Sequence, residues 1–291
     1  MAFNNFVPKI WNAQLRLDFA EAVTAAAIVN REFEGDAKTG NQVQVTTAVD
    51  IAIKDYKAAG RTTSPDSIDV AKVDVLIDQE KNYDFLVDDI DRRQAAGSLD
   101  VYTQSAARGL AIDADKYILS VAASGALTNL STGTPADGDD AFDVIRDLRK
   151  ALNKLSVPAA QRVVWVNAEF AALLVGADSK LTSVDTSGDP AGLRDGTLGR
   201  LLGARVIETE NLPVVNAPAA IMAYAPSIAF VSQLTKTEAM RDTSAFADRI
   251  RGLHVYGAKV TIPKGVATFG MSGASSSAAA SSSSAASSSA A

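Results

Sequence analysis

Apolar residues recur at helical spacing in two long stretches of the chain. Residues 98–123 predict one long helix with a single apolar stripe. The stripe consists of Leu99, Tyr102, Ala106, Leu110, Tyr117 and Val121. Asp113 interrupts it, and Gly125 is expected to stop the helix. A second helix, which ends before Pro158, is predicted by a run of aliphatic residues at the same spacing. These are Ile145, Leu148, Leu152 and Leu155.

Strict alternation of apolar and polar residues predicts a β-hairpin early in the chain. Its strands are Gln42–Thr46 and a run from Lys72 to Asp78. About two dozen mostly polar residues, including Tyr56, connect the strands, and so long a connection is usually functional or disordered. An isolated two-stranded ribbon is marginally stable in water. We therefore expect it to lie on another surface, that of a neighbouring subunit.

The N-terminal residues and the second half of the chain add shorter elements. Pro8, Ile10 and Trp11 form an apolar group ahead of a predicted helix that reaches Asn30, and a tryptophan so placed is expected to dock on something. An α/β unit and a long strand follow the second helix, with a bulge expected at a glycine of the long strand. The elements are the strand Arg162–Asn167, the helix Glu169–Val175, the strands Ala220–Tyr224 and Ile228–Val231, and the long strand Ile250–Ile262 with Gly252 or Gly257 at its bulge.

Composition and charge narrow the class of protein. The chain has 291 residues, 47% hydrophobic and 21% charged, as in ordinary soluble globular proteins. It contains no cysteine, which excludes disulfides, thiolate metal sites and a cysteine nucleophile. The formal charge of −6 and the lack of basic runs argue against a nucleic-acid-binding protein. A container for nucleic acid can still be acidic, because its wall gains nothing from adhering to the cargo.

No targeting or membrane segment is predicted. Lys9, Arg16 and Asp18 interrupt the N-terminal apolar residues, so a secretory signal is not expected. The most apolar stretch, residues 213–232, contains prolines and predicts two strands around a turn. After Gly273 only Ser and Ala remain, which predicts a disordered tail, either natural or a linker.

Few residues carry the chemistry that an enzyme needs. His254 is the single histidine, and we interpret it as a half-buried strand residue rather than a base or a metal ligand. The glycine-rich loop Gly188–Gly203 matches neither phosphate-binding pattern, so its glycines are expected to allow a tight path across a subunit surface. The chain is predicted not to be an enzyme and to bind no cofactor. A less favoured alternative is an α/β enzyme that binds a small anionic ligand at this loop.

Carboxylates precede arginines at the end of a predicted edge strand. Asp88, Asp89 and Asp91 come just before Arg92 and Arg93. Charge pairing within or between subunits is their expected use, rather than metal binding.

A second group of carboxylates precedes the second helix. It comprises Asp137, Asp139 and Asp140, which lack the spacing of a calcium loop. Asp139 or Asp140 is expected to cap the helix, and no metal site is predicted.

The order of these segments resembles that of the major capsid proteins of tailed bacteriophages, which share the Hong Kong 97-like fold. It is most similar to the Salmonella-phage coat-protein group. Several sequence blocks between residue 3 and about residue 270 carry the resemblance. They are the arm with Pro8, Ile10 and Trp11, "NREFEGD" at Asn30–Asp36, Gly40, Tyr56, "VLIDQEKNYDFLVDDIDRRQA" at Val75–Ala95, the long helix with Asp113 and Asp115, and "LGRLLGARVIETENLP" at Leu198–Pro213.

The resemblance implies an α+β fold of the Hong Kong 97-like type, divided into named parts. These are an N-terminal arm (1–38), an extended β-hairpin loop (39–77), a peripheral domain (78–133) with a spine helix (98–124), an axial domain (134–225), a return to the peripheral domain (226–272) and a disordered Ser/Ala tail (273–291). No scaffolding-like domain precedes the arm, so a scaffolding protein is expected to be separate.

The function implied by the resemblance is structural. Hexamers and pentamers would tile an icosahedral shell around double-stranded DNA, first as a procapsid that later expands. The implied partners are other copies of the chain, a scaffolding protein, a portal and a cement protein, with no membrane and no sequence-specific DNA binding. The implied location is the virion capsid, assembled in the cytoplasm of the host bacterium. The expected assembly contacts are Pro8, Ile10, Trp11, Tyr56, Asp88, Asp89, Asp91, Arg92 and Arg93.

One alternative and one modification follow from the resemblance, and a second alternative follows from the Ser/Ala tail. An encapsulin-type bacterial nanocompartment would use the same fold around a cargo enzyme. A surface adhesin with a Ser/Ala stalk is disfavoured by the missing signal peptide. Some relatives cross-link subunits through lysine and asparagine, for which Lys54 or Lys57 would be donors, but no such bond is expected here.

Overall fold

A computed structural model describes residues 23–35, 41–48, 53–58, 60–63, 65, 70–88, 100–130, 133–176, 199–214, 216–242 and 246–271. Its α-helices are α1 (Asp100–Ser124), α2 (Gly138–Lys154) and α3 (Ala168–Leu174). Its strands are β1 (Gln42–Ala48), β2 (Val70–Leu76), β3 (Gln79–Asp88), β4 (Thr128–Leu130), β5 (Arg162–Val166), β6 (Arg200–Leu201), β7 (Ala204–Glu208), β8 (Ala220–Tyr224), β9 (Ile228–Arg241), β10 (Ala247–Val260) and β11 (Val266–Phe269).

Six strands form a mixed sheet in the order β4–β11–β8–β5–β7–β6. β5 lies inside it, parallel to β7 and antiparallel to β8, and is buried along its whole length. Val163 and Trp165 belong to one apolar cluster, whereas Val164 and Val166 belong to another. The continuous apolar run of β5 therefore belongs to a strand that is covered on both faces.

Helices cover both faces of this sheet. α2 and α3 lie on one face, where Ile145, Leu148 and Leu152 are fully buried, as their spacing predicts. Truncating any of these residues to alanine would cost roughly 2–5 kcal/mol of stability. α1 and β10 contribute to the apolar cluster on the other face. β4 and β11 join the sheet from either side of residues 134–225, so it unites three separate parts of the chain.

The start of α2 corrects one prediction. Asp137 is the N-cap, because its carboxylate accepts a hydrogen bond from the N–H of Asp140 (2.9 Å). Asp140 in turn accepts one from the N–H of Ala136 (3.2 Å), a reciprocal pattern that resembles a capping box. The prediction that Asp139 or Asp140 caps the helix is wrong, since the helix begins earlier, at Gly138.

α1 confirms the predicted long helix but buries a different face. The buried residues are Ala114, Asp115, Ile118, Leu119 and Ala122. Tyr117 and Val121, from the predicted stripe, are only partly buried. An aspartate in the middle of the buried face conceals that face from an analysis of hydrophobic periodicity.

Two glycines are required by close packing rather than by an unusual backbone. Gly125 follows α1, as predicted, but does not have a positive φ. A Cβ atom there would lie 2.7 Å from Cγ2 of Val260. A Cβ atom on Gly257 would lie 2.0 Å from the carbonyl oxygen of Leu76, so β10 and the end of β2 can approach only because Gly257 has no side chain.

β3, β10 and β9 form an antiparallel sheet in that order, with β3 at an edge as predicted. The bulge predicted at Gly252 or Gly257 is wrong. The register between β9 and β10 shifts between Val255 and Tyr256, and the extra residue is Gln233 of β9. The bulge is therefore in the partner strand, whose sequence contains no glycine to mark it.

β1 and β2 form the predicted hairpin, in which Val43 lies opposite Val75. Both side chains are buried in a small cluster with Ala229 and Val231 of β9. The base of the ribbon thus lies on its own subunit, and the expectation that a neighbouring subunit covers this part is wrong. The alternation of residues correctly predicts which face of the hairpin is apolar, but the sequence could not show which sheet lies closest to that face.

Candidate functional site

One buried carboxylate anchors the segment that follows the N-terminal arm. Asp115 of α1 is 0% exposed. Its Oδ1 accepts hydrogen bonds from the N–H groups of Ala25 (2.7 Å) and Ala26 (3.0 Å), and its Oδ2 accepts one from the N–H of Thr24 (3.2 Å). The side-chain amide of Asn211 donates to the same Oδ2 (3.0 Å). Asp115 therefore joins three parts of the chain, a role that the sequence analysis missed.

The chain continues from this anchor onto β9. Residues 25–29 form a turn rather than the predicted helix. Asn30 then bridges to Ala229, since its N–H donates to the carbonyl of Ile228 (3.0 Å) and its carbonyl accepts from the N–H of Phe230 (2.9 Å). The base of the arm is thus fixed to both α1 and the three-stranded sheet.

A groove of about 410 Å³ lies between α1, the start of β3 and the loop that follows β7. Within it, the hydroxyl of Tyr256 donates to Oδ2 of Asp113 (2.6 Å), and Nζ of Lys81 lies 3.9 Å from the same oxygen. The hydroxyl of Tyr117 donates to Oδ1 of Asp78 (3.2 Å), and its ring packs edge-on against that of Tyr256. These contacts connect α1 to β3 and β10.

Burial changes the titration of both tyrosines. Desolvation, with the nearby charge and hydrogen bond of Asp78, raises the pKa of Tyr117 to about 12. Desolvation and the hydrogen bond to Asp113 raise the pKa of Tyr256 above its ordinary value. Both phenols therefore stay protonated, as hydrogen-bond donors, further into the alkaline range than an ordinary tyrosine, which keeps the contacts of α1 with Asp78 and β10 intact there.

One face of the three-stranded sheet carries charges that pair across strands. Arg249 forms a bidentate contact with Asp84, and Arg251 donates to Glu238 through Nε (3.1 Å) and Nη2 (2.7 Å). Lys236 also contacts Glu238. The hydrogen bond from Arg249 lowers the pKa of Asp84, and those from Lys236 and Arg251 lower that of Glu238 to about 2. Because these cations are already paired with carboxylates, this face of the sheet offers little unpaired positive charge to an anionic ligand such as the phosphates of a nucleic acid.

Large apolar side chains are exposed at the far end of the same sheet. Leu86 and Met240 lie on either side of Arg249 in the strand register. Phe246, just before β10, is 82% exposed. The register thus places Leu86 and Met240 in one row of the sheet, with Arg249 between them.

His254 occupies the half-buried strand position that the sequence predicts. Its Nε2 lies 3.1 Å from Oγ of Ser232, and its ring centre lies 4.7 Å from that of Tyr256. Burial lowers the pKa of His254, which favours the neutral ring. The residue thus links β10 to β9.

The described part of the connection between β1 and β2 is exposed throughout. Ile53 is fully exposed and Tyr56 is 55% exposed. The carboxylate of Asp55 accepts hydrogen bonds from the N–H groups of Lys57 (2.9 Å) and Ala58 (3.3 Å), which forms a local turn beside Tyr56. Two large side chains with apolar surface are therefore presented to water.

Most other predicted contact residues lie outside the described residues. They are Pro8, Ile10, Trp11, Asp89, Asp91, Arg92 and Arg93. Asp88 is the last residue of β3 and pairs with Ala247. Most of the glycine-rich loop (188–198) and the Ser/Ala tail also lie outside the described residues.

Two further properties concern ligands and membranes. In the part of the chain that the structure describes, no three side chains of His, Asp or Glu are grouped so as to hold a metal ion. Among the same residues, no helix has the length and the apolar character needed to cross a bilayer.

Comparisons with known proteins bear on this architecture. Residues 72–269 match the model of a family described as "Phage capsid protein". A solved structure from Mycobacterium phage Che8 is 50% identical to this chain, with a TM-score of 0.87 over 94% of this chain and 100% of that one. No curated protein matches the sequence.

Two more distant structures share the fold alone. The capsid structure of Cyanophage P-SCSP1u is 13% identical, with a TM-score of 0.77 over 91% of this chain and 92% of that one. A virus-like particle from Pyrococcus furiosus is 12% identical, with a TM-score of 0.54 over 79% of this chain and 86% of that one.

Proposed function

The chain belongs to the phage capsid protein family and is a major capsid protein that forms an icosahedral shell, and from this premise we propose that hexamers and pentamers of it enclose the double-stranded DNA of a tailed phage. The observation that carries the proposal is the 50% identity with the structure from Mycobacterium phage Che8 over 94% of the chain. The predicted α+β fold and the predicted role as a capsid protein are confirmed. The narrower assignments, to the Hong Kong 97-like lineage and to the Salmonella-phage group, rest on the order of the sequence blocks and belong to the proposal.

The proposed division into domains follows the elements described above. The extended loop would contain β1 and β2, and the peripheral domain would contain α1 and the three-stranded sheet. The axial domain would contain α2, α3 and β5 to β8. In this arrangement the protein is structural rather than enzymatic.

A closed ring of identical subunits needs two different contact patches on each subunit, because its contacts run head to tail. We assign one patch to Ile53 and Tyr56, which the local turn presents to water. Burying such side chains on the next subunit would contribute roughly 1.5–3 kcal/mol each. Contacts of this size are individually reversible, which allows errors to be corrected, and they add up around a shell.

The N-terminal arm supplies a second proposed contact. Pro8, Ile10 and Trp11 would dock on a neighbouring subunit, since a tryptophan is costly to leave in water. The carboxylates Asp88, Asp89 and Asp91 would pair with the arginines at 92 and 93, within or between subunits.

The shell would contact DNA without reading its sequence. A net charge of −6 and the internal pairing of cations on the sheet face give little attraction for phosphates. Filling the shell would therefore depend on partners, which we propose to be a separate scaffolding protein, a portal and a cement protein. Assembly would begin as a procapsid in the cytoplasm of the host bacterium and end in expansion as DNA enters.

The contents of purified shells test this proposal. Shells would be isolated from cells that also express the neighbouring genes, treated with nuclease, and opened. Protected double-stranded DNA is expected, whereas shells of the chain expressed alone should contain none. Shells that hold a single enzyme and no protected DNA would instead establish an encapsulin-type nanocompartment.

A further inference from the structure

We propose that Asp115 is a positioning residue for assembly, which fixes residues 24–26, the base of the N-terminal arm, on α1 and thereby orients the chain at Val23 for the contact that the arm is proposed to make. The inference rests on the proposed role of the arm as a contact between subunits. The geometry of the anchor, in contrast, depends only on residues that the structure describes.

The groups around the Asp115 side chain are hydrogen-bond donors, which explains why a carboxylate occupies this position. Oδ1 of Asp115 accepts two backbone N–H groups, and Oδ2 accepts a third together with the amide of Asn211. The hydroxyl of Thr24 lies 3.5 Å from Oδ2. An ionised carboxylate is acceptor-only, so both of its oxygens can be used fully.

The three backbone donors belong to the start of a helical turn. The carbonyl of Ala25 accepts hydrogen bonds from the N–H groups of Ile28 (3.0 Å) and Val29 (3.1 Å). The first N–H groups of such a turn have no partner within it. Asp115 satisfies them from a different helix, so it acts as an N-cap supplied by a distant part of the chain.

The charge of Asp115 is balanced by these dipoles. Within the described residues, no lysine or arginine forms an ion pair with it. Hydrogen bonds from backbone N–H groups to a carboxylate are charge-assisted and directional. The anchor therefore specifies an orientation as well as an attachment, which the apolar contacts of Ala25 and Val29 alone would not do.

Asn211 extends the anchor to the rest of the subunit. It lies in the loop that follows β7, the strand next to β5 in the six-stranded sheet. Through Asp115, the arm base is fixed relative to α1 and to this loop together. A change in this joint would shift the base of the arm in every subunit of the shell.

The test compares Asp115→Asn with wild type and with the control Asp113→Asn. The asparagine keeps the shape and one acceptor but points an NH₂ group at the donors Thr24 and Asn211. Asp113 is on the same helix, and among the described residues its carboxylate contacts Tyr256 and Lys81, which lie outside the anchor. Amide hydrogen exchange of residues 24–26 would be measured on unassembled subunits, and the yield and shape of shells by light scattering and electron microscopy.

For Asp115→Asn we expect about tenfold faster exchange at residues 24–26, because these amides lose a charged acceptor. We also expect few closed shells, at a melting temperature close to that of Asp113→Asn. The double variant Asp115→Asn/Asn211→Asp should recover both readouts in part, because the new amide then faces a carboxylate and the net charge is unchanged.

Unchanged exchange in Asp115→Asn would overturn the proposal, and so would faster exchange with a normal yield of normal shells. Wild-type protein that forms no shells would contradict the proposed function instead. The exchange comparison would then still decide whether Asp115 holds the base of the arm.

Discussion

Replacing residues 49–69 by Asn-Gly should separate assembly from folding. Ala48 and Val70 are directly opposite each other in the register of β1 and β2, so a two-residue type I′ turn can connect them. The described residues of the replaced segment are all exposed. The buried contacts of Val43 and Val75 with β9 remain in the variant, so the subunit keeps its core.

The expected change in stability can be worked out from the length of the connection. Each halving of a flexible loop lowers the entropic cost of closing it by about 0.6 kcal/mol, and this replacement corresponds to about three halvings. The free energy of unfolding should therefore be unchanged or higher by up to about 2 kcal/mol. Assembly should be lost, because Ile53 and Tyr56 are removed.

Urea unfolding followed by circular dichroism measures the first quantity, and light scattering with electron microscopy measures the second. A matched control, Ile53→Ser/Tyr56→Ser, keeps the loop length and isolates the two side chains; it should also assemble poorly. Normal shells from the shortened variant would refute the assignment of this segment to assembly. A loss of more than about 2 kcal/mol in unfolding free energy would show that the segment packs on its own subunit.

Three further predictions concern packing, titration and the arm. Gly257→Ala should lower the free energy of unfolding by about 1–3 kcal/mol or more, because its Cβ would meet the carbonyl of Leu76 at 2.0 Å. Gly109→Ala, in an open part of α1, is the control. Equal unfolding free energies of the two variants in urea would contradict the packing argument. Because the pKa of Tyr117 is raised to about 12, folding stability should hold below pH 10 and fall from pH 10 to about pH 12, and Tyr117→Phe should flatten this fall; an unchanged slope in alkaline urea titrations would count against it. Trp11→Ala should reduce shell yield far more than it lowers the melting temperature of the subunit, whereas equal effects would place Trp11 in the subunit's own core.

Hydrophobic periodicity predicted the elements whose buried faces consist of apolar residues alone. The aliphatic run of α2 and the alternation of Val43 and Val75 each face one apolar surface, so the element and its buried side follow directly from the sequence. The strand Arg162–Val166 was also found, because burial on both faces requires a continuous apolar run.

The errors have a common physical origin in contacts between distant residues. From the sequence, Asp115 is expected to face solvent, because its hydrogen-bond donors are backbone N–H groups of residues 24–26, far away in the chain. Neither the buried face of α1 nor the anchor could therefore be predicted. Likewise, Gly257 suggested a bulge, although it serves the close approach of Leu76. The resemblance of segment order supplied the function, which none of these residues indicates alone.

The size distribution of the purified protein tests the central claim most directly. Light scattering would be followed by negative-stain microscopy of any large fraction, with and without the co-expressed products of neighbouring genes. Closed icosahedral shells, or sheets of hexamer-like units, are the predicted result. A strict monomer under every one of these conditions would contradict the account.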